Sequence, residues 1–208
     1  MDIQKNAEMV LDKVLNKGAV GDLIIDESES LSLSARDGQL EEYKISSSQV
    51  FGLRVIKDNK VGTAYSEASD GEALAAMVDQ AFTNAGFATE DEHEAIIDNR
   101  EELSTDDDFF CPNDESTVEQ KIDTILGLEA SLLNKNKIKN VPYNGIQSGK
   151  GSRQIYSTAG LFARSSAKSN SCYAYALMEE GEMNVMEGCG QAGRMFSEID
   201  ATEIATEV

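Results

Sequence analysis

Residues that commonly carry catalysis or a disulfide scaffold are scarce in this sequence, which has no tryptophan, one histidine, two prolines and three cysteines among 208 residues. One histidine without a cluster of other ligands cannot build the usual catalytic zinc site of three protein ligands. The odd number and wide spacing of the cysteines indicate free, buried thiols in a reducing compartment. No run approaches the roughly 18 apolar residues of a membrane-spanning helix, and the first residues lack a signal-peptide core. We therefore expect a cytoplasmic protein with no membrane partner.

Acidic residues greatly outnumber basic ones. Thirty-eight Asp and Glu stand against 18 Lys and Arg, which gives a formal net charge of −20. A chain this acidic repels nucleic-acid phosphates as a whole, so nucleic acid is a disfavoured partner. The hydrophobic fraction of 40% and the charged fraction of 27% are ordinary for a folded chain. The length suits one domain or two small lobes.

Hydrophobic periodicity predicts an α+β fold with mainly antiparallel sheets and three or more helices. Apolar residues recur at helical spacing from Ile3 to Leu15, and Gly18 stands at the C-terminal cap. Asp37-Gly38 is a hairpin turn signal, because both central positions of a type I′ turn need positive φ. The first quarter is thus predicted as one helix and a meander of about four strands, at residues 23–36, 39–48, 51–56 and 61–65.

Two capping-box spacings predict further helices, with Ser69 and Ser116 as their N-caps. Between them, Glu90–Asp108 holds ten acids and one arginine, which predicts an exposed, mobile excursion. Its acids lack the spacing and turn glycine of a calcium loop. We therefore expect three parts: residues 1–89, an acidic excursion at 90–115, and residues 116–208, with the first and last parts packed as one N-terminal domain of a longer chain.

The last third is predicted to return to antiparallel strands. Ile155–Arg164 and Ser171–Glu180 have the pattern of hairpin strands, and a helical pattern begins at Ser197. The chain stops inside that pattern, so we expect this sequence to be part of a larger protein. The stretch Lys135–Lys168 holds seven basic residues and no acid. It predicts either a nucleic-acid-binding face or a strand pair whose polar side is basic, and a basic face could equally meet an acidic partner.

Three motifs suggest chemistry, but each favours a structural explanation. His93-Glu94 begins like the His-Glu-x-x-His helix of zinc proteases, yet Ile97 occupies the second ligand position. The Gly-x-Gly-x-x-Gly pattern of residues 188–193 lacks the later acid of a dinucleotide site, so glycines of a bent or bulged strand are favoured. A nucleophilic cysteine would need a base, and none is apparent. We therefore assign no catalytic and no metal-binding residue, and binding residues stay unidentified.

Several short segments, in this order, resemble the N-terminal portion of the TldD/PmbA family. They are Lys17-Gly18-Ala19 with the strand Asp22–Glu27, Arg36–Glu41, Gly52–Val55, Asn59–Ala64, the helix Leu74–Ala85, Ser157–Gly160, Glu179–Met183 and Arg194. The resemblance is closer to the PmbA type. It spans nearly the whole sequence, although Ser157-Thr158 departs from the Asn-Ser of the family pattern.

The resemblance implies a family of zinc metallopeptidases that act as heterodimers. The TldD-type chain supplies a His-Glu-x-x-x-His zinc motif, whereas the PmbA-type chain lacks it and helps to enclose a peptide chamber. The family is tied to maturation of peptide antibiotics, to antitoxin degradation and to the label of DNA gyrase modulator. His93-Glu94 is not its zinc motif, because it lies too early and Asp98 stands where the last histidine would be.

From this resemblance we expect the non-catalytic N-terminal part of a TldD/PmbA-type metallopeptidase subunit, inactive alone and contributing to dimerisation and to the peptide chamber. Expected partners are a peptide or protein substrate and a TldD/PmbA-type subunit in a homo- or heterodimer. No cofactor is expected in this chain, and zinc would belong to the catalytic partner. The alternative is a nucleic-acid- or gyrase-associated binding module that uses the basic face at 135–168.

Overall fold

A computed structural model describes residues 3–97, 102–104, 106–181 and 183–208. The α-helices of these residues are α1 (Ile3–Asn16), α2 (Gly71–Phe87), α3 (Asp107–Phe110), α4 (Val118–Leu133) and α5 (Ala201–Glu207). The strands are β1 (Val20–Arg36), β2 (Gln39–Lys57), β3 (Lys60–Ser66), β4 (Glu102–Ser104), β5 (Ile138–Ser157), β6 (Phe162–Glu180) and β7 (Met183–Gly193). The predicted α+β class is confirmed.

The described strands form one sheet in the order β3-β2-β1-β5-β6-β4, with β7 also paired to β6. The β2–β3 and β6–β7 pairs are antiparallel, and the three-residue strand β4 pairs with β6 in parallel. Asp37 and Gly38 have φ values of 54° and 74°, so the predicted type I′ turn joins β1 to β2. The prediction of a mainly antiparallel sheet is confirmed.

Several predicted strand boundaries were wrong. Residues 39–48 and 51–56 were predicted as two separate strands, but β2 continues through Gln49 and Val50 as one strand. The hydroxyl of Ser48 lies 2.8 Å from that of Ser28 on the neighbouring strand, and such cross-strand Ser pairs are compatible with a continuous ladder. Ile155–Arg164 is not one strand, because the backbone N–H of Leu161 donates to the Ser157 hydroxyl (3.1 Å) and closes a tight turn there.

Helix starts differ from the predictions by one residue. Asp70, not Ser69, caps α2, and its carboxylate accepts hydrogen bonds from the first-turn amides of Glu72 and Ala73. Thr117, not Ser116, caps α4 in a capping box with Gln120. Since Ser, Thr and Asp all satisfy free N–H groups at a helix start, adjacent candidates are hard to separate by spacing alone.

The chain divides into two compact units. The first unit comprises Met1–Ser28, Ser48–Thr105 and Gly151–Ser166, and the second comprises Glu29–Ser47, Asp106–Lys150 and Ala167–Val208. The expected packing of residues 1–89 and 116–208 as one domain stays a prediction. Among the described helices, none is long and apolar enough to cross a membrane.

In the first unit, α1 and α2 pack against strands of the sheet. The fully buried side chains include Val10, Leu23, Phe51, Leu74 and Val78. Helix α2 lies so close to β3 that a Cβ atom built on Gly62 would fall 1.9 Å from the carbonyl oxygen of Ala81. Glycine at this position therefore sets the packing distance between helix and strand.

In the second unit, α4 and α5 cover one face of the strands. Its core includes Leu33, Ile125, Leu128, Leu132, Val141, Ile146, Cys172, Ala174 and Ile204. Two buried polar side chains tie strands and turns to this core. Asn144 accepts from the Ala35 N–H and donates to the Ala35 carbonyl, both at 2.8 Å. Glu129 accepts hydrogen bonds from the two turn amides of Asp37 and Gly38.

Candidate functional site

The first half of strand β2 has a free backbone edge. Its neighbours in the sheet are β1 and β3, and β3 pairs only with Phe51–Lys57. Among the described residues, no strand pairs with Gln39–Val50 on the side away from β1. All of residues 41–48 are exposed. A row of unpaired N–H and C=O groups is a template on which another chain can add a strand.

Two large apolar side chains of this otherwise polar segment are exposed. Tyr43 is 52% exposed and Ile45 is 65% exposed, and because they are two residues apart they share one face of the strand. Exposed edges are normally protected by charge, proline or a covering element. An exposed edge with two large apolar side chains therefore favours a surface that another chain covers.

Strand β7 forms a second edge and explains the glycine pattern of residues 188–193. It pairs only with β6 among the described strands. A Cβ atom on Gly188 would lie 2.2 Å from the ring of Tyr175, and one on Gly193 would lie 2.3 Å from the carboxylate of Glu198. The glycines thus lie in a strand, as predicted, but the strand pairs with β6 without a bulge. The glycines leave room for neighbouring side chains.

The second unit also contains a buried lysine in a polar cluster. Lys121 on α4 is 8% exposed, and its ammonium donates to the hydroxyl of Ser148 (3.0 Å) and to Oδ1 of Asn170 (3.3 Å). The same ammonium lies 5.3 Å from the ring centroid of Phe196. Burial lowers the pKa of Lys121, although the charge of Asp114 opposes this effect.

Asp114 holds the other side of this cluster. Its Oδ2 accepts from Nδ2 of Asn170 (3.2 Å) and from the backbone N–H of Phe196 (3.1 Å). Burial acts to raise the pKa of Asp114, but hydrogen bonds from Ser116 and Phe196, together with the charge of Lys121, hold it below its usual value. A pocket of about 280 Å³ opens beside Lys121 and includes two further lysines, Lys150 and Lys168.

The first unit has a cleft of about 770 Å³ beside an arginine–carboxylate cluster. Arg54 makes a bidentate pair with Asp22 (3.1 and 2.6 Å) and reaches Glu94 at 3.3 Å. Hydrogen bonding to Asp22 raises the pKa of Arg54. The N–H of Asp91 also donates to the carbonyl of Asn59 (2.7 Å). The start of the acidic excursion is therefore hydrogen-bonded to the first unit. Residues 98–101 and 105 of the excursion lie outside the described residues.

The sequence-identified histidine does not form a metal centre with its described neighbours. The side chain of His93 is 88% exposed, and its Nε2 lies 4.0 Å from the carboxylate of Glu92. In the part of the chain that the structure describes, no three His, Cys, Asp or Glu residues form a group that could hold a metal ion. These residues do not fit a catalytic zinc site, and Asp98 lies outside the described residues.

The cysteines occupy three different environments. All three are free, but only Cys172 is buried, whereas Cys111 and Cys189 are partly exposed. Burial raises the pKa of Cys172 to about 12. The hydrogen bond from Cys189 Sγ to Glu207 raises the pKa of Cys189. Neither of these two thiols is activated as a nucleophile, because a thiolate requires a lowered pKa.

The basic stretch Lys135–Lys168 is largely engaged within the fold. Lys137 and Lys139 each form an ion pair, at 2.7 Å, with Glu180 and Glu179 respectively. Arg153 makes a bidentate pair with Asp26. These pairs neutralise much of the basic character that the sequence alone suggests.

Sequence reasoning missed Lys121, although helical spacing contained the signal. Counting back from the buried Leu132 in steps of four, three and four residues gives Leu128, Ile125 and Lys121. One face of α4 therefore places a lysine on the buried side. Its partners Ser148 and Asn170 lie on strands β5 and β6, and no local sequence pattern indicates that they contact it.

Two domain models of one metallopeptidase family match this chain. Residues 21–85 match the family model described as PmbA/TldA metallopeptidase domain 1, and residues 111–208 match the PmbA/TldA metallopeptidase central domain. No curated protein sequence matches the chain significantly.

Three solved structures share the fold. A protein described as a candidate modulator of a DNA gyrase from Thermotoga maritima is 16% identical, with a TM-score of 0.87 over 99% of this chain and 46% of its own. TldE from Thermococcus kodakarensis is 15% identical, with a TM-score of 0.80 over 97% of this chain and 46% of its own. A candidate gyrase modulator from Bacteroides thetaiotaomicron is 15% identical, with a TM-score of 0.79 over 98% of this chain and 47% of its own.

This chain thus spans about half the length of these structures. The family models match in the same order as the two domains they describe, and together they account for most of the sequence. The chain belongs to the PmbA/TldD metallopeptidase family and corresponds to its first and central domains.

Proposed function

We propose that this chain is the non-catalytic part of a TldD/PmbA-type metallopeptidase subunit, and that it contributes to dimerisation and to a chamber that holds peptide. The observation that carries the proposal is the free edge of β2, where Gln39–Val50 has no strand partner on one side among the described residues. Membership of a metallopeptidase family supplies the peptide as the class of substrate.

Strand addition suits a protein that holds unfolded peptides of varied sequence. Backbone amides and carbonyls pair in the same way whatever the side chains are, so an edge binds extended chains without a fixed motif. The same edge could pair with the corresponding edge of a second subunit, and Tyr43 and Ile45 would then be covered at the interface. Both roles use the same backbone groups, and the choice between them depends on the partner present.

The described residues do not fit a zinc site, so the proposal assigns them no hydrolytic step. Zinc with its His-Glu-x-x-x-His motif would belong to a TldD-type partner. The role of this chain is then to bind and orient peptide near that partner, in the cytoplasm. It joins a homo- or heterodimer of TldD/PmbA-type subunits.

The alternative is a nucleic-acid- or gyrase-associated module that uses the face at 135–168. Two of the similar structures carry the description of a gyrase modulator. However, Lys137, Lys139 and Arg153 are paired with carboxylates, and the net charge of −20 opposes binding to phosphates. The peptide-holding role therefore has the stronger support.

Sedimentation velocity tests the proposal. The 208-residue chain is measured alone at rising concentration and mixed with a TldD-type subunit of the same genome. We expect a dimer in at least one condition, and Ile45→Lys should weaken it by about tenfold or more, because a buried charge without a partner is costly. Val20→Lys is the matched control, since Val20 is also an exposed apolar strand residue but lies in the first unit.

Peptide binding and its salt dependence separate the two functions. Binding of an uncharged unfolded peptide should change little between low and high salt, whereas binding of nucleic acid should fall steeply with salt and on loss of Lys150 or Arg153. The proposal fails if the chain and Ile45→Lys sediment alike in every mixture and no unfolded peptide binds.

A further inference from the structure

Lys121 is buried and, among the described residues, has no directly paired carboxylate. Its ammonium donates to two neutral oxygens, those of Ser148 and Asn170. No carboxylate of a described residue lies within ion-pair distance of it. Burying an ammonium costs several kcal/mol unless charge or hydrogen bonds compensate it. A position that retains such a group therefore suggests a ligand of opposite charge.

The neutral partners of Lys121 are already fully engaged. Asn170 Oδ1 also accepts a hydrogen bond from the Ser148 hydroxyl at 2.7 Å. The amide nitrogen of Asn170 donates to Asp114 and to the carbonyl of Arg194. This network fixes the ammonium in place, and among the described residues its charge is offset only at longer range, by Asp114.

Two further lysines, Lys150 and Lys168, line the pocket beside Lys121. Lys150 is exposed at its rim, and Lys168 donates to the carbonyl of Pro112 at 2.6 Å. Val118 also lines the pocket and is the first residue of the 16-residue helix α4, whose N-terminus carries partial positive charge. Two carboxylates, Glu29 and Asp114, also line it, so three lysines against two carboxylates leave a net side-chain charge of +1.

The remaining lining identifies the class of ligand. Leu31, Ile45 and Val118 give the pocket an apolar side. A carboxylate on a peptide has methylene or Cα groups next to its charge, and these suit an apolar wall better than inorganic phosphate does. Ile45 belongs to both the pocket and the free edge of β2, so a peptide on that edge would lie beside the pocket.

We propose that this pocket binds a carboxylate of an extended peptide, with Lys121, Lys150 and Lys168 as the cationic groups. This inference rests on the proposed peptide-holding function and adds to it a preference for anionic over neutral peptides. The carboxylate belongs either to an acidic side chain or to the C-terminus of the peptide. Ser148 and Asn170 act as positioning residues, since they hold the ammonium of Lys121.

Three unfolded peptides of otherwise identical sequence test the inference. The first is capped at both ends and has a central Gln, the second is capped and has a central Glu, and the third has the central Gln with a free C-terminal carboxylate. Their dissociation constants for the full chain are measured by calorimetry. We expect one of the two anionic peptides to bind about tenfold or more tightly than the neutral one, and which one it is identifies the carboxylate.

The variants are Lys121→Met, Lys150→Met and the control Lys139→Met. Lys139 is an exposed lysine of the same unit that is paired with Glu179, so its loss should leave the preference intact. Lys121→Met keeps most of the length of the side chain and removes a buried charge, which favours a folded variant. Lys150→Met changes an exposed residue and provides a second test. Lys121→Met and Lys150→Met should each reduce the preference for the anionic peptide over the neutral one to less than about threefold.

Each outcome supports or overturns the inference. Equal binding of all three peptides overturns the pocket assignment and leaves the peptide-holding function standing. Absence of binding by any peptide overturns both. If inorganic phosphate alone binds with micromolar affinity and displaces the anionic peptide, the pocket recognises phosphate and the carboxylate assignment is wrong.

Discussion

Gly62 is the position at which one added methyl group should destabilise the protein most. Strand β3 approaches helix α2 so closely that a Cβ atom at Gly62 would lie 1.9 Å from the carbonyl oxygen of Ala81 and 2.5 Å from the amide nitrogen of Ala85. Both neighbours are backbone atoms of the helix, so no side-chain rotation relieves the clash. Strand and helix would have to separate by about 1.5 Å to restore an ordinary contact.

The cost follows from the packing that such a separation would break. Helix α2 buries Leu74, Met77, Val78 and Ala81 in the core of the first unit. Overpacking a well-filled core typically costs 1–3 kcal/mol, and backbone displacement lies at the upper end. We therefore expect Gly62→Ala to lower the free energy of unfolding by about 3 kcal/mol.

A glycine of the same helix provides the control. Apart from its chain neighbours and the nearby backbone of its own helix, no atom lies within 4 Å of a Cβ built on Gly86. Gly86→Ala should therefore stabilise the protein by about 0.5 kcal/mol, because alanine makes the unfolded chain less flexible. Urea unfolding followed by far-ultraviolet circular dichroism measures both variants, since the chain has no tryptophan. A Gly62→Ala protein within about 0.5 kcal/mol of the parent would refute the packing argument.

Three further predictions concern single residues, and a fourth concerns catalysis by the isolated chain. Asn144→Leu should lower the free energy of unfolding by about 2 kcal/mol, because it leaves the N–H and C=O of Ala35 unpaired; an unchanged urea midpoint would contradict this. Cys172, whose pKa is raised to about 12, should react with a thiol reagent at pH 8 only as fast as the protein unfolds, and fast labelling of all three thiols would be inconsistent with its burial. Because the pKa of Asp114 is lowered in the fold, its stabilising effect is present above the unfolded value of 3.8 and is lost as the pH falls through the folded pKa. The stability difference between the parent and Asp114→Asn should therefore narrow below pH 3.8, and a constant difference would disprove this. The isolated chain with zinc should cleave no unfolded peptide, whereas chelator-sensitive cleavage abolished by His93→Ala would overturn its non-catalytic role.

Turns were the most predictable parts of the fold, because their chemistry is local. Asp37-Gly38 requires positive φ at both positions, and these residue types adopt it readily. The cap at Gly18 has φ of 71°, for the same reason. Strand lengths were less predictable. The first half of β2 is exposed on both faces, so it lacks the alternation of apolar and polar residues that identifies a strand with one buried face.

The candidate sites could be predicted only in part, since they depend on distant residues. Several short segments, occurring in the same order as in the family, identified the family from the sequence. The family models match the same parts of the chain. The pocket at Lys121 needs Ser148 and Asn170, which are 27 and 49 residues away in sequence. Likewise, the sequence shows the basic residues of 135–168 but not which carboxylates pair with them. Their partners Glu179, Glu180 and Asp26 lie on other strands.

Hydrogen–deuterium exchange of the amides in Gln39–Val50 tests the central claim most directly. Successive amides of a strand point to opposite sides, so about half of them face away from β1. If another chain adds to this edge, those amides should exchange more slowly when the protein is mixed with an unfolded peptide or with a TldD-type subunit, while amides facing β1 stay unchanged. Equal exchange of the outward-facing amides in the free chain and in every mixture would contradict the claim that this edge holds peptide or a second subunit.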